Sequence, residues 1–108
     1  MSDAFEDREK GYEAKFKLDE ELVFKIRARQ NKLLGLWIAK HFGFDEGKSL
    51  EYAKDVVIAD MDEPGIDDVI RKVMADINAR GVDLSEIQVR EKLASLEKIA
   101  VTEVTKET

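Results

Sequence analysis

The sequence has no cysteine, one proline, one histidine and one tryptophan in 108 residues. Without cysteine there is no disulfide scaffold, no thiolate zinc site and no thiol nucleophile, which fits a reducing compartment. A single histidine, His41, leaves no histidine pair at metal spacing and no partner set for a Ser-His-Asp triad, and its place near a helix end is a structural one. No run of about 18 apolar residues and no basic-then-apolar leader occurs, so the chain is expected to be soluble, unexported and not inserted in a membrane. No segment alternates with period two, and no repeat is present. Positive charge is in deficit too: 18 basic against 24 acidic residues give a net charge of −6. That balance argues against nucleic acid as a partner, because phosphate neutralisation drives such binding.

What remains is helical. A chain of this length makes one domain, large enough to bury a core without staples. The stretch Leu22 to Phe42 carries Leu22, Val23, Ile26, Leu33, Leu34, Leu36, Trp37 and Ile38, spread over more than half a helical wheel. A helix apolar over so wide an arc needs neighbours on several sides. The same stretch holds Lys25, Arg27, Arg29, Lys32 and Lys40, the one sustained basic surface of an acidic chain. These cations, with Arg71, Lys72 and Arg80, either oppose the acidic stretch Phe44 to Asp68 as a bipolar surface or are neutralised by it. A strip of small residues, Ala28, Gly35 and Ala39, lets another helix or a ligand come close.

Four helices follow from stop and start signals. Asp19 is a suitable N-cap for the first, with Glu20 and Glu21 in its first turn, and Gly43 a left-handed terminator. The second begins between Asp45 and Ser49, shows the stripe Leu50, Ala53, Val57 and Met61, and ends before Pro64-Gly65. The third opens on Asp67 and Asp68, buries Ile66, Val69, Ile70, Val73, Met74 and Ile77, and closes at Gly81. The fourth starts with a capping box, Ser85 and Gln88, stapled by Leu84 and Val89. Its core face is Val89, Leu93, Leu96, Ala100 and Val104, with fraying expected after Val104 where threonines weaken the helix. Short connections make antiparallel neighbours, so the fold class is all-α, a four-helix bundle over 19–104 with a frayed 105–108.

Residues 1–18 precede this bundle as a loosely ordered or partly helical segment. Phe5, Tyr12 and Phe16 share one helical face by their offsets of seven and four, but Gly11 costs about 1 kcal/mol relative to Ala and an isolated helix of this length is marginal in water. The aromatic face either folds on a partner or docks back on the bundle. Two apparent motifs fail on their own chemistry. Gly43-Phe44-Asp45-Glu46-Gly47-Lys48-Ser49 has one residue too few between its glycines for a phosphate loop and follows a helix instead of a strand. Asp60, Asp62, Gly65 and Asp68 mimic a calcium loop that has Arg71 where the bidentate Glu belongs. No catalytic group or metal site emerges, and the chain is expected not to be an enzyme.

Longer strings carry more information. FEDREKGYEAKFKLDEELVFKIRARQNKLLGLW, from Phe5 to Trp37, resembles the zeta-subunit family, inhibitors of the F-type ATP synthase of alphaproteobacteria. The resemblance continues through EYAKDVVIAD from Glu51, DDVIRKVMAD from Asp67 and ARGVDLSEIQVREKL from Ala79. Gly11 and Gln30 depart from it, where a better helix former and a basic residue are expected. The resemblance implies a four-helix bundle whose N-terminal segment inserts at a catalytic interface between alpha and beta subunits and stalls hydrolytic rotation of the gamma subunit. It thus implies a cytoplasmic protein, peripheral at the inner membrane through the ATP synthase and monomeric when free. By position, the inserting anchors are Phe5, Tyr12 and Phe16, with Arg8 and Lys10 as polar contacts. It also implies ADP or ATP as a regulatory ligand on the bundle, with no cofactor required. For that ligand the basic face offers Arg29 and Lys32 to phosphates, Asn31 to the base edge and Gly35 as room, with Arg71 and Lys72 contributing from the third helix. The alternative is a nucleotide-responsive helical adaptor that binds its partner through the bundle face.

Overall fold

A computed structural model describes the backbone of residues 2–62 and 65–107 and the side chains of residues 20–61 and 65–107. Its four helices are α1 (Ser2–Phe42), α2 (Glu46–Asp62), α3 (Ile66–Arg80) and α4 (Glu86–Glu107). They form a four-helix bundle with no strand among the described residues. The anchors expected in the N-terminal segment, Phe5, Arg8, Lys10, Tyr12 and Phe16, lie outside the described side chains. Helical backbone runs on through Asp19, where the cap signal predicts a start. Glu21 and Lys25 stand at i, i+4 just beyond that point, a spacing that suits continued helix.

The helix ends follow their signals. Gly43 and Gly81 both adopt positive φ, 77° and 66°. Each closes its helix with a paired return of amides: Gly43 N–H to Lys40 O and Phe44 N–H to Ala39 O, Gly81 N–H to Asn78 O and Val82 N–H to Ile77 O. Asp45 caps α2 by accepting from the Lys48 amide at 2.8 Å. Ser85 and Gln88 make a reciprocal capping box at 2.9 and 3.1 Å. These caps make the connections short and fix where each apolar face points.

α1 is the central element, packed mainly on α2 and α4 and also touching α3. Leu34, Ile38 and Ala39 of α1 are buried with Val69, Ile70, Val73 and Ile77 of α3 and with all five residues expected of α4. On α2 the buried face is Ser49, Tyr52, Ala53 and Val56, turned away from the expected stripe, whose Leu50 and Met61 are exposed. Tyr52 accounts for the rotation. Its ring lies 5.3 Å from Phe42 and 6.3 Å from Phe44, edge to face, while its hydroxyl reaches Asp76. Two further expected core residues, Val23 and Ile66, are also exposed. Ile66 is the first residue of α3, and Val23 lies well before the level at which α1 enters the core. α4 runs to Glu107, past Val104, and its last turns are tied to α1 by Arg29, which donates to Glu103 at 2.9 Å and to Glu107.

α1 and α2 meet most closely at Gly35. A Cβ added there would lie 2.6 Å from the Ala53 Cα, a backbone atom that cannot step aside. Gly35→Ala gains about 1 kcal/mol in helix propensity but forces two helices apart, which costs about 1–3 kcal/mol or more. The expected outcome is a lower urea midpoint for Gly35→Ala; a higher midpoint would show that the helices separate freely.

Candidate functional site

The six residues read as a nucleotide site are not brought to one place. Arg29 faces α4 in its ion pairs with Glu103 and Glu107. Gly35 is filled by Ala53 and offers no room to a ligand. Arg71 is 72% exposed and pairs with Asp68 on its own helix at 3.0 Å, and Lys72 pairs with Asp76 at 3.1 Å. Lys32 is exposed beside a shallow depression with Leu50, Glu51 and Lys54 of α2. Residues one or two apart on a helix point to different neighbours, and which helix each one meets is decided by the packing.

Asn31 is the exception in kind. It is 5% exposed, has no hydrogen-bond partner among the described residues, and lines a groove of about 390 Å³ with Arg27, Gln30, Gly65 and Glu97. Gln30 is fixed there by donating to Leu93 O at 2.7 Å, so the residue that departs from the basic pattern binds α1 to α4. Arg27 donates to Asp60 at 2.7 Å, and the same Asp60 oxygen accepts from the Gly65 amide at 3.2 Å. The calcium-like turn therefore spends its first carboxylate on the fold. Among the described residues no cluster of His, Asp and Glu is placed to hold a metal ion. His41 is exposed, with its ring edge-on to Trp37 at 4.7 Å.

The sequence matches a known lineage over almost its whole length: residues 1–103 fit the family model described as ATPase inhibitor subunit zeta. The chain belongs to the ATPase inhibitor subunit zeta family. A protein known by its solution NMR structure is 39% identical, with the match covering 79% of this chain and 96% of that one at a TM-score of 0.69. No curated protein matches. As a zeta-family member the protein is a regulatory, non-enzymatic subunit that inhibits the ATPase activity of the F-type ATP synthase and so binds that complex. No described helix is long and apolar enough to cross a membrane.

The polar centre that sequence reasoning missed in this zeta-family bundle is Tyr52. Its hydroxyl donates to Asp76 Oδ2 at 2.9 Å, and Lys72 Nζ donates to the same oxygen at 3.1 Å while standing 5.6 Å from the Tyr52 ring centroid. Arg80, read from sequence as part of the basic surface, stacks 4.5 Å from the Phe44 ring centroid and 5.0 Å from that of Phe42. The signal available was the cluster of Phe42, Phe44 and Tyr52 around one helix junction. Burial, followed by the bond to Asp76, pushes the Tyr52 phenol well above the usual tyrosine range. A raised folded-state value means the unfolded chain loses this proton first. Stability from Tyr52 is thus fully present below about pH 10 and falls above it, by up to about 1.4 kcal/mol per pH unit. Urea midpoints compared at pH 9 and pH 11 are expected to fall less for Tyr52→Phe than for the wild type; equal falls would place the alkaline loss elsewhere.

Proposed function

We propose that the protein blocks ATP hydrolysis by inserting residues 1–18 at a catalytic interface between alpha and beta subunits of the ATP synthase head, halting the gamma subunit in the hydrolytic direction. The observation that carries this reading is that the inhibitor-family match begins at residue 1 and so includes the segment. Phe5, Tyr12 and Phe16 supply its apolar face, and Arg8 and Lys10 its polar contacts. Two features support a mechanical role: α1 is one helix from Ser2 to Phe42, and its later turns are buried in the core at Leu34 and Ile38. Force on the segment is then borne by the folded bundle instead of by a loose tether. The protein works in the cytoplasm at the inner-membrane surface, held there by the synthase. Phe5→Ala with Phe16→Ala in the full-length chain is expected to raise the half-inhibitory concentration for ATP hydrolysis more than ten-fold at unchanged helix content. Unchanged inhibition would remove the insertion model.

For the regulatory adenine nucleotide, the observation that favours a site is Asn31, whose amide opens on the groove it lines and bonds to no described residue. One asparagine amide can pair both an acceptor and a donor on an adenine edge. Arg27 lines the same groove, where a phosphate would have to share it with Asp60. Asn31→Leu keeps the number and branching of the side-chain heavy atoms and removes an amide that bonds to no described residue, so the bundle is expected to melt near the wild-type temperature. ADP-induced amide shifts are expected to vanish in that variant; shifts that persist would move the nucleotide off this groove.

A further inference from the structure

Three of the nine large apolar side chains exposed among the described residues gather where α1 leaves the bundle. Val23 and Phe24 of α1 and Met61 of α2 are 56%, 58% and 58% exposed, and they surround a groove of about 300 Å³ floored by Val57. Large apolar side chains gathered at one spot mark an interaction surface more often than scattered ones do. The groove has a charge as well. Arg27 at its rim is neutralised by Asp60, which leaves Glu20 with no ion pair among the described residues. A second copy of the chain is a poor occupant, since a two-fold contact here sets Glu20 near Glu20 and the groove is far smaller than a stable dimer interface.

The spacing of the chain points to a different occupant. Val23 follows Phe5, Tyr12 and Phe16 at offsets of seven, four and seven. At 100° per residue these four positions fall within about 20° of one line along a continuous helix, and α1 is one helix across them. The apolar line of the inserting segment therefore reaches the groove without a break in phase. We propose that the Val23–Phe24–Met61 groove is the bundle's own contact with the ATPase head, and that it receives a large apolar side chain flanked by a Lys or Arg. The inference rests on the insertion reading, which makes the head the neighbour of this surface. Once the segment is bound the groove meets the head at high effective concentration, so a contact too small to form alone adds affinity.

The test uses full-length Val23→Asp, Met61→Asp and Glu20→Lys, measured for inhibition of ATP hydrolysis beside Phe5→Ala/Phe16→Ala. The groove side chains are exposed, and thermal melts by circular dichroism are expected to match the wild type. Each groove variant is expected to raise the half-inhibitory concentration at least ten-fold, and Glu20→Lys provides the readout should an aspartate variant melt early. Wild-type potency in the groove variants while Phe5→Ala/Phe16→Ala loses inhibition overturns the groove and leaves insertion standing. Full potency in Phe5→Ala/Phe16→Ala removes the insertion reading and this inference with it. A groove variant that alters self-association in sedimentation without altering potency assigns the surface to a second copy and overturns the proposal.

Discussion

Everything in the bundle is registered by one close approach, the meeting of the α1 backbone at Gly35 with the α2 backbone at Ala53. With no side chain at 35 the two antiparallel helices touch, and the register fixed there sets the contacts on either side. Toward one end it carries Arg27 to Asp60, and toward the other it brings Phe42 and Phe44 against Tyr52. The missing side chain is thus an organising feature, because helix packing is close enough that one methyl group changes the spacing.

The same register distributes the cations. Arg27 and Arg29 lie two positions apart on α1, yet one pairs with α2 and the other with α4. Such partly exposed pairs contribute at most about 1 kcal/mol each, so their chief effect is orientation. The apparent basic stripe is thereby divided. Its arginines belong to the fold, and among the described residues of α1 the surface positive charge that remains is carried by lysines.

α4 and the caps were legible because local chemistry determines them. Ser85 and Gln88 satisfy each other within one turn, and Val89 to Val104 bury a face with regular spacing and no competitor. α2 was legible in extent but not in rotation, since Tyr52 counts as polar in a stripe yet packs as an aromatic whose hydroxyl finds Asp76 24 residues away. Ile66 obeyed the period of α3 but sits in its first turn, where the core has not begun. The residues read as a nucleotide set are dispersed for a related reason. Sequence shows which residue types share a helix, whereas the wheel scatters Arg29, Asn31 and Lys32 to three neighbours and α2 occupies the space at Gly35. The family strings, by contrast, identified the lineage directly, because they preserve order over nearly the whole chain.

The tie from Arg29 to Glu103 and Glu107 has a practical side. It places the last turn of α4 beside the part of α1 from which the N-terminal arm departs, only about ten residues beyond the arm's root. With no native thiol in the chain, one cysteine introduced in that turn accepts a single dye. A second dye on the arm then gives a pair whose separation follows the arm's direction, a molecular protractor for watching the inhibitor engage a working motor.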